Sequence, residues 1–333
     1  MADVHEEVVS AAGSAPNTVT TEDLSFLSVD EKSICRGTLW IPQGVKPVAI
    51  LHIVHGMCEH IGRYDAFARL LASRGWVVCG IDLVGHGRTE PDPTKRGVYE
   101  DPDLAAEAMI EDQRTLFTQV KARFVSLPYF MLGHSMGSFI ARCFAARHGG
   151  VLSGLIVMGT AWQDGVEVLY RAVSILARLR GMSFRSHFVD ALGCGGYNKL
   201  FEGTGAHTGF EWLSRDEGQV LAYAADPACG FMFSLSGYLM LAQLLREAQD
   251  VSRISKIPAS LPILVISGSE DPVGEAGKGP SRVFLALRNA GVQDLSLDII
   301  QEDRHELLNE VNRDEVEAEL IAWLEAHRTS YDV

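Results

Sequence analysis

Three residues of different types, each placed just after an apolar run, could together carry out nucleophilic chemistry. Ser135 stands between Gly133 and Gly137 in FMLGHSMGSFIARCFAARHG, after Tyr129, Phe130, Met131 and Leu132. Ile140, Ala141, Phe144 and Ala145 then recur at helical spacing, so the serine falls on a strand-to-helix turn. Asp271 follows LPILVISGSE, and His305 follows LSLDIIQEDR. A serine hydroxyl is a weak nucleophile until a neighbouring base takes its proton. An imidazole near neutrality can accept that proton and return it to a leaving group. A carboxylate behind the imidazole holds one tautomer and stabilises the cation that forms.

The two glycines are where a side chain would collide with a sharp bend, which is the logic of the G-x-S-x-G nucleophile elbow. The chain order serine, aspartate, histidine is the order that accompanies this elbow. Glu270 is a rival for the acid; Asp271 is preferred because of its position directly after the strand. Asp298 and Asp303 are weaker rivals, lying too close in sequence to His305. A developing oxyanion needs donors: the backbone N–H of Met136 opens the helix, and that of Met57, in HGMCEH, follows an apolar strand. His52, His55, Cys58 and His60 have the types of a metal set. Strand alternation sends His52 and His55 to opposite faces, so they read as packing and loop hydrogen bonds. His86 reads as a loop brace. No metal and no cofactor is expected, since water and three side chains suffice.

These residues need a scaffold that gathers strand ends. LSFLSV (24–29) and SICRGTLWI (33–41) read as an antiparallel pair. VAILHIVHG, WVVCGIDLVGHG, the elbow strand, VLSGLIVMGT, LPILVISGSED and LSLDII then alternate with helical segments near 63–74, 103–124, 281–290 and 311–325. Continuous apolar strands alternating with helices mean a mostly parallel sheet covered on both faces. The alternation stops between Ala161 and Gln249, where the sequence is helical and apolar. Ser214 with Glu217 reads as a capping box opening a helix that Asp226-Pro227 closes. The organisation expected is a loose tail over 1–20, an α/β core of 21–160 and 250–333, and a helical cap of 161–249.

Among the 333 residues 47% are hydrophobic and 22% charged, and the net charge is −14. That charge argues against nucleic acid, whose binding draws on Lys and Arg. The six cysteines show no CxxC spacing, and several fall in apolar runs, where free thiols pack as small hydrophobes. The acidic, polar N-terminal stretch does not read as a signal peptide, and no apolar run is long enough to span a bilayer. A cytoplasmic setting is expected.

HGMCEHIGRYDAFARLLASRGWVVCGIDLVGHGRT, GHSMGS, GSEDPVG and RHELLNE resemble the monoacylglycerol lipase and lysophospholipase-like branch of the α/β hydrolases, often grouped with serine aminopeptidases. The resemblance runs from about Leu24 to the C-terminus and extends to WLSRDEGQVLAYAADPACGF in the cap. It implies the α/β-hydrolase fold with a helical cap. It implies catalytic roles for Ser135, Asp271 and His305, with oxyanion amides from Met57 and Met136. Two departures stand out: Ser138, where glycine is commoner, and HGMC in place of the HGGP of proline-type aminopeptidases. The second makes a peptidase the lesser reading. The function expected is hydrolysis of acyl-lipid carboxylic esters through an acyl-enzyme. An acyltransferase or thioesterase, an aminopeptidase using Glu202, Glu211 or Glu217, and a non-catalytic receptor are the alternatives. The cap's large apolar residues suit a small-molecule acyl ester, and an apolar cap face would allow transient contact with a lipid interface.

Overall fold

A computed structural model of the protein describes residues 18–201, 203, 205 and 207–328. Among these, eight strands form one sheet in the order β1-β2-β4-β3-β5-β6-β7-β8. They are β1 Val19–Leu27, β2 Ile34–Pro42, β3 Ala49–Val54, β4 Trp76–Asp82, β5 Tyr129–His134, β6 Gly154–Met158, β7 Ile263–Gly268 and β8 Leu295–Ile300. The β1–β2 and β2–β4 pairings are antiparallel and every other one is parallel. Residues 1–17 of the expected tail lie outside the described residues, and Val19 and Thr20 already belong to β1.

Helices α1 Asp65–Ser73, α2 Pro102–Arg123, α3 Met136–His148, α9 Lys278–Asn289 and α10 Arg313–Arg328 cover the two faces of the sheet, and the short α8 Val251–Ile254 precedes β7. Between β6 and β7 come α4 Val166–Arg180, α5 His187–Leu192, α6 Glu217–Ala225 and α7 Leu235–Ala248, with α7 packed on α2, α3 and α4. Strands β3 to β7 are buried along their whole length, which explains their unbroken apolar runs. The capping-box expectation is corrected. Helix α6 is capped by Asp216, whose side chain accepts from the N–H of Gly218 and Gln219. Ser214 stands two residues before that cap, where its hydroxyl accepts from the Asp216 N–H at 2.9 Å and donates to the carbonyl of Asn309 at 2.8 Å.

The chain leaves β3 toward β4 on one side and returns to β5 on the other. The crevice beyond the carboxyl ends of β3 and β5 is therefore the topological switch point, where open α/β sheets place their ligands.

Candidate active site

Ser135 sits at that switch point, between β5 and α3, with φ 53° and ψ −121°. A non-glycine backbone in such a region costs about 1–3 kcal/mol and persists only where its surroundings dictate it. They do so here. A Cβ on Gly133 would lie 2.3 Å from the carbonyl oxygen of Gly137, and one on Gly137 would lie 2.1 Å from that of Val54. The Ser135 N–H donates to Met158 O at 3.0 Å, tying the elbow to the end of β6. Ser138 is no idle departure from the usual glycine: its hydroxyl donates to the Ser135 carbonyl at 2.6 Å and bonds Thr160 at 2.8 Å.

His305 is 2% exposed, and its Nδ1 lies 3.0 Å from each carboxylate oxygen of Asp271. Asp271 also accepts from the Val273 N–H at 2.9 Å and the Ser267 hydroxyl at 3.2 Å. Burial alone would raise its carboxyl; the charge and hydrogen bond of His305 and the Val273 amide outweigh that and lower it. An ionised Asp271 makes Nδ1 the donor, which leaves Nε2 with the lone pair a general base requires. Glu270, the rival acid, is exposed. The His134 and Trp212 rings have centroids 4.7 and 5.2 Å from that of His305.

Met57, in the loop after β3, and Met136, the first residue of α3, line one cavity with Ser135 and His305. The Met136 N–H is among those a helix leaves without an acceptor. The Met57 loop is held from both sides. The Gly56 N–H donates to Glu59 at 2.5 Å. Cys58 adopts φ 57°, and its carbonyl accepts from the Tyr223 hydroxyl at 2.9 Å and the Gly230 N–H at 3.0 Å.

A buried ionic network beneath the site escaped sequence reasoning. Arg63 bonds both oxygens of Glu306, at 2.7 Å through Nη2, and Glu59 at 3.0 Å. Glu59 also accepts from Tyr64 at 2.9 Å and from His134 Nδ1 at 3.2 Å, while His134 Nε2 donates to the His305 carbonyl at 3.2 Å. Burial favours a neutral imidazole, but the hydrogen bond and charge of Glu59, with the charge of Glu306, raise His134. Both ring nitrogens face acceptors, as an imidazolium needs. Glu59 is held well below the usual carboxylate range, burial being outweighed by His134 and Arg63. The available signal was the charged cluster EHIGR beside an apolar strand end, but its partner Glu306 lies 243 residues from Arg63.

The cavity holds about 560 Å³. Large apolar residues between β6 and β7, among them Leu169, Phe210, Trp212, Phe231, Leu241 and Leu245, line it. Val173, Phe233, Leu235 and Leu239 are buried as core, while Leu179 and Phe188 face outward. A larger groove of about 670 Å³, with Asp65, Arg69, Arg88 and Asp226 on its walls, contains none of Ser135, Asp271, His305, Met57 or Met136. It is the wrong place for this chemistry.

His60, Asp226 and Cys229 bring ligand-type atoms within 4.8 Å of one another. The Gly62 N–H donates to His60 Nδ1 at 3.2 Å, so Nε2 carries the proton and donates it to Asp226 at 3.0 Å. A metal would have to displace that proton, and burial raises the Cys229 thiol, keeping it protonated. The set fits a hydrogen-bonded pair better than a metal centre. His52 bonds Gln113 and Tyr129, each at 2.9 Å. His55 bonds the Gly56 carbonyl at 2.8 Å and accepts from the Leu83 N–H at 2.9 Å. His86 bonds the Val84 carbonyl at 3.0 Å. Cys35, Cys79, Cys143 and Cys229 are free thiols and buried, and Cys58 is buried. No helix among the described residues is long and apolar enough to cross a membrane.

Residues 45–312 match the family model described as serine aminopeptidase S33. The chain is 29% identical over 294 residues to the monoacylglycerol lipase of Mycolicibacterium smegmatis, spanning 87% of this chain and 92% of that protein. It is 26% identical over 299 residues to the monoglyceride lipase of Homo sapiens, spanning 89% and 88%. Among solved structures, a highly thermostable carboxyl esterase from Bacillus coagulans in complex with glycerol superposes with a TM-score of 0.84 at 31% identity, over 93% of this chain and 100% of that one. A lipase in its open form superposes with a TM-score of 0.80 at 30% identity, over 93% and 99%.

Proposed function

The chain belongs to the serine aminopeptidase S33 family and is an α/β hydrolase; from that premise we propose that it cleaves carboxylic esters of acyl lipids, of the monoacylglycerol or lysophospholipid type, through an acyl-enzyme on Ser135. In the first half-reaction the Ser135 hydroxyl oxygen bonds the ester carbonyl carbon while His305 Nε2 takes its proton. Asp271 stabilises the imidazolium, and the Met57 and Met136 N–H groups bind the oxyanion. Collapse breaks the bond to the alcohol oxygen, which leaves with the proton from His305. Water then repeats the cycle on the acyl-enzyme, freeing the acid and Ser135. Segment 161–249 serves as the cap that screens the acyl chain.

The observation that carries this reading is the cavity wall. Phe139, Val166, Leu169, Leu241 and Leu245 are among its apolar lining with Ser135, and Glu59 and Glu306 are among its polar lining. An amphiphilic ester with a long acyl chain and a small polar alcohol matches that contrast. Release of acid from p-nitrophenyl esters of C2 to C16 acids and from monoacylglycerols is the test. Each methylene buried in the transition state is worth about 0.8 kcal/mol, so kcat/KM rises about fourfold per added CH₂ until the cavity is filled. A flat or short-chain profile would remove the lipid substrate.

An aminopeptidase needs an unpaired carboxylate for the substrate amine. Glu59 and Glu306 are both engaged by Arg63. Glu211 and Glu217 line a separate pocket of about 150 Å³, and Glu202 lies outside the described residues. Asp190, which lines the cavity, accepts from the Tyr238 hydroxyl at 2.6 Å; these placements favour the ester.

The cap's outer face also supports transient contact with a lipid interface. Val168, Ile175, Leu179, Phe188 and Leu200 are between 59% and 77% exposed, with Arg171, Arg178 and Arg180 exposed on the same helix as the first three. Pelleting with vesicles of phosphatidylcholine and phosphatidylglycerol is expected, and is expected to fall severalfold in L179D/F188D. Wild-type protein left wholly in the supernatant would end this part of the proposal.

A further inference from the structure

We propose that Arg215, contributed by the segment before α6, is a positioning residue for His305: its guanidinium bridges two buried carboxylates that flank the histidine in sequence. The proposal rests on His305 being the general base. Asp303 precedes that histidine by two residues and Glu310 follows it by five, and both are fully buried. Arg215 Nη2 donates to Asp303 and its Nε donates to Glu310 at 3.0 Å. Nη2 also reaches Asn312 at 2.8 Å, and Nη1 reaches Glu302 at 3.2 Å. Glu310 additionally accepts from the backbone N–H of Arg304, Arg215 and Val311, at 2.9, 3.1 and 3.1 Å. One cation thus gathers both shoulders of the loop that carries His305.

Two buried anions side by side cannot both stay ionised without such a bridge. Burial, with the Glu310 charge beside it, pushes the Asp303 carboxyl up to about 6 even with Arg215 in place. Room to relax is small, because the Asp303 and Arg304 carbonyl oxygens would lie 2.1 and 2.3 Å from a Cβ on Gly268, at the end of β7. On the ring side, Trp212, from the same segment as Arg215, lies against His305 with its ring tilted by 38°, and the Glu306 N–H donates to Leu213 O at 2.8 Å. A lysine at 215 keeps the charge but cannot span two carboxylates, so the loop and the imidazole would be displaced while the apolar cavity stays intact.

The test compares Arg215→Lys, Asp303→Asn and their combination with wild type, reading kcat and KM for a p-nitrophenyl ester, the rate of fluorophosphonate labelling, and Tm. Arg215→Lys is expected to lower kcat and labelling alike by about ten- to a hundredfold, with KM within about twofold, as small misplacements of a catalytic group do. Asp303→Asn leaves a single carboxylate to neutralise, so adding it to Arg215→Lys is expected to restore most of the loss. A folded Arg215→Lys with wild-type kcat would overturn the proposal. So would a loss that Asp303→Asn fails to relieve. Should Arg215→Lys not fold, Asn312→Asp keeps an acceptor for the guanidinium while Asn312→Ala removes it, both losing the 3.4 Å donation to Asp303; kcat lower in Asn312→Ala than in Asn312→Asp at constant KM supports the proposal, and equal kcat overturns it. Full activity in Ser135→Ala would overturn the triad reading, and this proposal with it, whereas full activity in Arg215→Lys alone overturns only the role of Arg215.

Discussion

Replacing Ser135 by alanine is expected to lower kcat/KM by about 10⁴- to 10⁶-fold and to abolish fluorophosphonate labelling, with Tm nearly unchanged. The size follows from the serine's place in the mechanism: without it there is no acyl-enzyme, and His305 and Asp271 have nothing to activate. What remains is the acceleration that oxyanion donors and binding give to direct attack by water, about 10³–10⁴ over solution. Stability should hold because alanine and serine have similar size and both pay for φ 53°, while the bonds that secure the elbow use backbone atoms of residue 135. One competitor shares the cavity. Cys58 lines it too, but its thiol donates to the Phe231 carbonyl at 2.8 Å, which commits its proton to a structural bond. Labelling that survives in Ser135→Ala and maps to Cys58 would move the nucleophile there. Undiminished ester hydrolysis without any label would place the reaction outside this cavity.

The parallel core of the sheet was legible because strands covered on both faces must be continuously apolar, as AILHIV and ILVISG are. Once the strands were placed, the residues following them had to gather at one edge. Ser135, Asp271 and His305 could therefore be named together although no local pattern links them. Other features were legible only in part because their partners are remote. Ser214 carries a sound N-cap signal, yet it stands two residues before the cap and its hydroxyl donates to Asn309, 95 residues on. Leu169 and Leu179 read alike as apolar helical positions, yet one lines the cavity and the other is 77% exposed. Helix α4 packs on α7, a partner that periodicity within α4 cannot specify. The Glu59–Arg63–Glu306 network is the extreme case: each charge alone reads as a solvated surface residue, and only the fold turns the three inward.

Asp271→Asn is expected to cost about 10⁴-fold in kcat, whereas Glu270→Gln should leave it within about twofold. The reason lies in the hydrogen bonds that Asp271 already accepts. The Val273 N–H donates to its Oδ1 and the Ser267 hydroxyl to its Oδ2, so an asparagine whose oxygen keeps the Val273 bond places its NH₂ at the Oδ2 position, 3.0 Å from His305 Nδ1. That NH₂ can only donate, which makes Nδ1 the acceptor and puts the proton on Nε2. The imidazole is then in the tautomer that cannot take the Ser135 proton. Binding should change little, since Asp271 is fully buried and does not line the cavity; the loss appears in kcat rather than KM. Stability gives an independent reading. Asp271 is lowered from 3.8, so the stability its ionised form contributes is fully present above pH 3.8 and is lost as pH falls through its lower folded value. The Tm advantage of wild type over Asp271→Asn should accordingly be steady above that pH and shrink under stronger acid. If kcat held steady in Asp271→Asn but fell 10⁴-fold in Glu270→Gln, the acid would have to be the exposed neighbour, and the short contacts between Asp271 and His305 would be structural only.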